Sequence, residues 1–395
     1  MIDRALILRL GVTQLVCWGT TYYLIGAFGE AMIADLGWSR ATVFGGLSLA
    51  VLIQGPLSAA IGRRIDRHGG RLVMAAGSVV SALALALLSQ ARELWVYYLA
   101  WAAMGIGMRL CLYDAAFATL ANLGGLAAKR PISQITLLGG LASTAFWPIG
   151  HVLEQALGWR GGVLAFAAFA LATLPLHLAI PKPRPQPPAE AKPAAAPENS
   201  PASAAEARER LAGFLFAFMM AVHGFVGSGM SAHMIGIFTG LGLAAGMAVS
   251  LSSLRGVAQS AARLLEVLFG ARLHPLGLGV LAAAMAPIGV GSLLVLGGTE
   301  AGGAAMALFY GAGVGLMTIV RGAVPLVLFD PRHYGGRVGK LLSPALFLVA
   351  AAPLGYALLI ERWGERGTLG LSLVLESLVF AAALALYFGF RRRSQ

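Results

Sequence analysis

Gly62-Arg63-Arg64-Ile65-Asp66-Arg67-His68-Gly69-Gly70-Arg71 separates two long apolar runs, 42–62 before it and 72–90 after it. A helix needs about 20 apolar residues to cross the hydrocarbon core of a bilayer, and both runs meet that length. The residues between them therefore read as a short basic connector on one membrane face. Gly permits tight helix approach and sharp turns. Asp66 is suited to cap a helix start or to pair with an Arg on another helix.

The same pattern repeats along the chain. Twelve apolar runs lie at roughly 7–33, 42–62, 72–90, 95–120, 133–156, 161–180, 211–238, 243–269, 276–297, 302–328, 341–360 and 368–390. Of 395 residues, 58% are hydrophobic and 12% charged, against roughly 25% charged in an average soluble domain. The mean hydropathy is +0.78. A soluble chain of this composition would expose large apolar areas to water; a bilayer removes that cost. Backbone polar groups in lipid must be satisfied within the segment, so the runs are helices. A membrane β-barrel would instead show short alternating runs. The 52 glycines suit membrane helices that pack through small residues. Cys17 and Cys111 lie inside apolar runs and read as neither a disulfide nor a zinc site. The N-terminus has a faint look of a signal peptide. The apolar run continues past Tyr22 and Tyr23 without a small-x-small site, so an uncleaved first helix is expected.

The net charge of +12 would suggest nucleic acid in a soluble protein. Here the basic residues fall mainly in connectors. With the N-terminus inside, the inner connectors hold Arg4, Arg9, Arg63, Arg64, Arg67, Arg71, Lys129, Arg130, Lys182, Arg184, Lys192, Arg208, Arg210, Arg272, Arg332, Arg337, Lys340 and Arg391 to Arg393. The outer ones hold only Arg40, Arg92, Arg160, Arg362 and Arg366. This bias places both termini in the cytoplasm of a bacterial-type inner membrane, and no nucleic-acid partner is expected. Residues 181–210 carry eight of the 18 prolines with Ala, Glu and Lys, and read as a semi-extended cytoplasmic linker. The linker divides the chain into 1–180 and 211–395, with six runs each. The halves echo one another: Gly105-Ile106-Gly107, then Arg109 and Asp114, against Gly311-Ala312-Gly313, then Arg321. The offset is 206 residues, and it sets Asp114 in register with Arg321 within one residue. Such repeats place a substrate site between halves near mid-membrane.

The opening connector resembles the loop signature of the major facilitator superfamily, in which Gly is followed four residues on by Asp-Arg, then Gly and a basic residue. Gly62, Asp66, Arg67, Gly69 and Arg71 match it. The resemblance implies an all-α membrane protein with twelve transmembrane helices in two six-helix bundles. It also implies a secondary carrier in which this loop latches the cytoplasmic face of the outward-facing state. The equivalent loop, Gly270-Ala271-Arg272-Leu273-His274-Pro275, lacks the Asp. Leu36-Gly37-Trp38-Ser39-Arg40-Ala41 is similar to the monocarboxylate and oxalate–formate branch, while Gly158-Trp159-Arg160 is a more general feature of the superfamily. That branch places in helix 8 an Arg for a substrate carboxylate and, four residues before it, an Asp for proton coupling. Arg263 fits the first position, but Gln259 stands at the second. The drug-efflux branch has Gly-Pro in helix 5; here Trp147-Pro148 is followed by Gly150.

An ionisable residue inside a membrane helix costs roughly 2.5–3.5 kcal/mol on insertion scales, so it faces a partner or a watery cavity. Arg109, Arg255, Arg263 and Arg321 lie within runs, with Asp114, Glu266 and Glu376 as the acidic residues at depth. The basic excess points to an anionic substrate, since Arg grips carboxylate or phosphate with two prongs. In the superfamily, helices 1, 4, 7 and 10 line the cavity, which brings in Arg109, Asp114 and Arg321. Trp18, Tyr22, Tyr23 and Trp147 are cavity candidates, with plain aromatic packing as the alternative. Arg263 and Glu266, three apart, suit a local ion pair. Arg109 and Asp114, five apart, do not. His223 is a candidate for proton relay or gating with Asp114 and Glu266. His223, Met230, His233 and Met234 would suit a soft metal, with ordinary core packing the better reading.

The sequence holds no zinc-protease helix, no phosphate-cradling loop and no nucleophile elbow. No enzyme activity, cofactor or metal is expected. The expectation is a monomeric, gradient-driven carrier of a small organic anion such as a monocarboxylate, linked to protons. A drug or metabolite exporter is the first alternative, and a non-transporting membrane sensor the second.

Overall fold

The computed structural model describes residues 2–182 and 201–391. Twelve helical crossings account for nearly all of them. In α1, Arg4–Cys17 and Leu24–Leu36 are joined by a π-helical turn, Trp18–Tyr22. Next come α2 (Arg40–His68) and α3 (Arg71–Ser89). In α4, Leu94–Cys111 and Tyr113–Gly124 meet at an extended Leu112. Lys129–Gly140 and residues 142–157 form α5; residues 159–172 with Leu174–Leu178 form α6. The second half comprises α7 (Pro201–Gly240), α8 (Ala245–Phe269), α9 (Pro275–Leu296), α10 (Glu300–Leu328), α11 (334–363) and α12 (365–390).

Among the described residues, seven helical stretches are long and apolar enough to cross a membrane, and two of them, 94–178 and 331–390, run through three and two crossings. The crossings that fall short are α1, broken by its π turn, and α8, which carries Arg255, Arg263 and Glu266. Both exceptions carry residues of the site described below.

Helices α1–α6 and α7–α12 form two bundles, each with its own apolar core. One core gathers Phe28, Trp101 and Phe166, the other Phe238, Tyr310 and Tyr356. A third cluster joins Phe117 and Ile132 of the first bundle to Met317, Val320 and Val338 of the second. The connectors that begin at Gly69, Gly125, Gly270 and Phe329 lie on one side of the molecule, here termed the basic side.

The internal echo is structural. Gly158 and Gly364, again 206 residues apart, both adopt a left-handed φ, +67° and +68°, and turn α5 into α6 and α11 into α12. That backbone favours Gly, which has no Cβ. Gly105 of α4 lies against the backbone of Ala50 in α2, and Gly311 of α10 against the backbone of Arg255 in α8. The two contacts correspond, helix for helix.

The linker expectation for 181–210 is met by a difference. Residues 183–200 lie outside the described residues, while α7 begins at Pro201, so 201–210 is helix.

Candidate functional site

The break in α4 builds the centre of the site. At Leu112 the backbone is extended (φ −78°, ψ −172°), and the carbonyl of Cys111 is freed from the helix ladder. Gln14 of α1 donates to it from Nε2 at 2.8 Å. A freed backbone group inside a membrane needs such a partner. The break also corrects the expectation that residues five apart cannot pair on α4. Arg109 Nη1 donates to Asp114 Oδ2 at 2.7 Å because the chain bends between them. Arg321 of α10 grips the same carboxylate with two prongs, Nε to Oδ1 at 2.9 Å and Nη2 to Oδ2 at 2.8 Å. Arg109 also donates to the Ser58 carbonyl of α2 at 3.2 Å. Asp114 thus ties α4 to itself and to the opposite bundle. The Arg109 side chain is only 4% exposed, whereas that of Arg321 is 32% exposed.

Beside this triad lies an aromatic wall. The π turn in α1 sets Trp18, Tyr22 and Tyr23 side by side, with ring centroids 5.2 Å (Trp18–Tyr22) and 5.4 Å (Tyr22–Tyr23) apart. π turns are frequent at functional sites because they re-aim side chains. Trp147 of α5 continues the row at 6.0 Å from Tyr23, and Tyr113 of α4 closes it at 4.9 Å from Trp18. All four aromatic residues singled out from the sequence therefore fall in one contiguous group.

Two arginines of α8 belong to the same region. Arg255 donates through Nη1 to Ser231 Oγ of α7 at 2.9 Å, and its buried Nε has no partner. It is within electrostatic reach of Tyr22 and Tyr23. Arg263 is 5% exposed and donates to Gly315 O (3.4 Å) and Thr318 Oγ1 (3.1 Å) of α10. Its guanidinium lies where a side chain on Gly140 of α5 would stand. The local Arg263–Glu266 ion pair is not formed: Arg263 reaches across to α10, and Glu266 Oε2 is buried without a partner. Glu266 instead lines a small cavity with Lys129, Arg130 and Ser133 on the basic side.

His223 of α7 lies inside the second bundle. Its Nδ1 is 3.0 Å from Oε1 and 3.2 Å from Oε2 of Glu376 on α12, a residue with no exposed surface. His233, considered with the methionines, bonds the Pro353 carbonyl at 2.8 Å, while Met230 and Met234 are core. Pro353 removes a donor from α11, and Ser228 Oγ satisfies the freed Val349 carbonyl at 2.8 Å.

The signature connector joins the bundles. The Asp66 carboxylate accepts the N–H groups of Gly335 and Gly336, each at 2.7 Å, at the start of α11. It caps a helix of the other bundle, where the positive end of the helix dipole favours an anion. Gly62 packs directly on the Gly335 carbonyl, and Gly69 ends α2 with φ +77°. Arg67 is exposed and Arg71 starts α3. Sequence reasoning missed the counterpart. Lys129 Nζ at the start of α5 donates to the carbonyl of Gly270, which caps the end of α8 (3.1 Å), and to that of Leu273 just after the following turn. A cation there complements the negative helix end. In the sequence Lys129 showed only as one more basic connector residue. Among the described residues, the hydrogen bonds and ion pairs that join the bundles involve Gly55, Asp66, Asp114 and Lys129, all in the basic half. Lys129→Gln is expected to loosen this closure. A cysteine placed at Ser133 should then react faster with a water-soluble maleimide, and unchanged labelling would show that the lysine bears no part of it.

Two bundles clamped on one side of a polar centre define a transporter fold. The family model of the Major Facilitator Superfamily matches residues 10–341, and the chain belongs to that superfamily. It is a multi-pass membrane transporter. Solved structures with the same fold include the proton:xylose symporter XylE (TM-score 0.73, 13% identity, covering 97% of this chain and 95% of that one). Another is the Escherichia coli fucose:proton symporter FucP (TM-score 0.72, 14% identity, 99% and 98%). A third is the human organic anion transporter MFSD10 (TM-score 0.69, 16% identity, 96% and 99%). No curated protein matches the chain in sequence.

Proposed function

We propose that this chain is a secondary carrier of a small organic anion, of the monocarboxylate class, linked to protons and working by alternating access. The two bundles, 1–180 and 211–395, rock around the polar centre. The basic side faces the cytoplasm of a bacterial-type inner membrane and both termini lie there; the closed basic half then corresponds to the outward-facing state.

The observation that carries this reading is Arg255. It is a cation at depth in α8 whose only hydrogen bond among the described residues goes to a neutral Ser231, with Nε free, opposite the aromatic wall. Arg109 and Arg321 already hold Asp114 in this state, so they act as an interbundle gate whose grip changes as the halves rock. Arg263, bonded only to neutral oxygens of α10, is the second anion ligand. A carboxylate between Arg255 and Arg263 would have its apolar end against Trp18, Tyr22 and Tyr23. The human organic anion transporter that shares this fold fits the same substrate class.

The test is uptake of radiolabelled acetate, lactate and pyruvate into proteoliposomes. A hydrogen bond to a charged group contributes about 1.5–3 kcal/mol, so Arg255→Gln should raise KM about 10- to 100-fold while Arg255→Lys retains part of the affinity. Uptake unchanged by Arg255→Gln would remove this residue from the site. Broad drug resistance on overproduction, without carboxylate uptake, would favour export instead.

A further inference from the structure

One face of α7 carries His223, Gly227 and Ser231 at intervals of four residues, so the three stand above one another. Each meets a polar group from a different helix. Glu376 of α12 bonds His223. The hydroxyl of Tyr310 on α10 stands beside Gly227, fully buried and without a partner. Arg255 of α8 bonds Ser231. Eight helical residues span about 12 Å, so this stripe leads from the sealed His–Glu pair to the arginine in the anion site. Apart from this stripe and the Tyr356–Ser372 hydroxyl pair, the core of the second bundle is largely apolar.

We propose that His223 and Glu376 form the proton-carrying site of the transporter, coupled to the anion at Arg255 through the Tyr310 hydroxyl along the His223–Gly227–Ser231 face. The proposal rests on the anion-carrier reading of Arg255.

The reason is charge balance in a low-dielectric interior, where an uncompensated charge is costly. Arg255 and Arg263 set a positive potential that disfavours a further proton on the His223–Glu376 pair when no substrate is bound. A monoanion held by these arginines cancels one of their two charges and removes that penalty. One proton taken up by the pair then returns the set to its unloaded charge. The two favoured forms are therefore empty without the proton and loaded with it, and the cycle moves one proton with one monoanion. The proton enters on the side where the anion binds and leaves where the anion leaves. No bond other than that to the proton is made or broken. The surrounding elements add little competing charge. Tyr356 of α11, whose hydroxyl is 2.7 Å from Ser372 Oγ, lies within electrostatic reach of Glu376. Tyr310 is the titratable group from α10, and α9 contains no titratable side chain. The Tyr310 hydroxyl, lacking any other partner, is placed to follow the change at both ends.

The experiment compares two readouts in proteoliposomes of the full-length protein, with radiolabelled lactate and acetate as probes: counterflow, which needs only exchange, and accumulation driven by a pH gradient. For wild type both are expected. For Glu376→Gln and His223→Gln the ratio of accumulation to counterflow should fall at least tenfold, and anion binding to the purified variants should no longer take up a proton from a weakly buffered indicator solution. Tyr310→Phe leaves the pair in place and should lower the same ratio by a smaller factor. It decides the matter if the pair variants fail to fold. Wild-type counterflow without any proton uptake, or a Glu376→Gln protein that still accumulates lactate against a pH gradient, overturns the coupling proposal alone. Absence of counterflow in wild type with every probe overturns the anion-carrier reading beneath it.

Discussion

Asp114→Asn is expected to abolish transport and to lower the melting temperature of the purified protein by about 5 °C or more. Asp114 is the single anion between two arginines, and Arg109 is 4% exposed. Together the three residues carry a formal +1. With Asn the same volume holds +2, and Arg109 keeps only the Ser58 carbonyl as a partner. Removing one member of a buried ion pair costs about 3–5 kcal/mol, and about 1 kcal/mol shifts the melting temperature by roughly 2–4 °C even in mid-sized domains. The loss also falls on the interbundle bond, because Arg321 reaches α4 only through this carboxylate. The double variant Asp114→Asn/Arg321→Gln returns the set to +1. It should regain much of the melting temperature and none of the transport, since the charge is relieved while the gate is not rebuilt. A single variant that melts with wild type would show that Asp114 is solvated and holds nothing.

The fold was legible because a membrane imposes length. Twelve apolar runs, the Pro-rich stretch and the basic connectors led to the correct helix count, and the signature at Gly62–Arg71 to the correct superfamily. The bends within the helices were not legible. Nothing in Met108-Arg109-Leu110-Cys111-Leu112 announces an extended residue at Leu112, since no Pro or Gly stands there. Regular helix spacing therefore hides the Arg109–Asp114 pair, which the bend at Leu112 brings together. The level of Asp114 and Arg321 is legible, because the 206-residue echo places the two in register; their pairing is what the structure adds. Arg263 and Glu266 failed in the opposite way. Their spacing suits a local pair, and tertiary neighbours on α10 and near Lys129 took precedence over it. Glu376 was recognised as an acid at depth, but its partner stands 153 residues away on α7, a distance that periodicity cannot bridge. The closing surface of α11 does carry a sequence signal: Gly335, Gly336 and Gly339 form a small-residue pattern of the kind that lets helices touch.

That surface carries the second large effect. Gly62→Ala should shift the carrier away from the state closed on the basic side. A Cβ at Gly62 would stand within the backbone carbonyl of Gly335, and one at Gly339 within that of Ser58. Backbone cannot move aside as a side chain tip can, so α2 and α11 must separate. Overpacking of this kind costs about 1–3 kcal/mol, which is about 5- to 150-fold in the equilibrium between the two states. Separation would also stretch the bonds from Asp66 to the start of α11, so packing and capping are lost together. The shift can be read from spin labels at Arg40 and Arg362, both exposed at the far ends of α2 and α11. Cys17 and Cys111 are buried and leave labelling selective for the introduced sites. The label distance should shorten as the opposite side closes, in Gly62→Ala and again in Gly339→Ala. Gly370→Ala, where a Cβ meets only open space, should leave it unchanged. A distance distribution that is the same in Gly62→Ala as in wild type would mean that the α2–α11 contact does not set the balance between the two states.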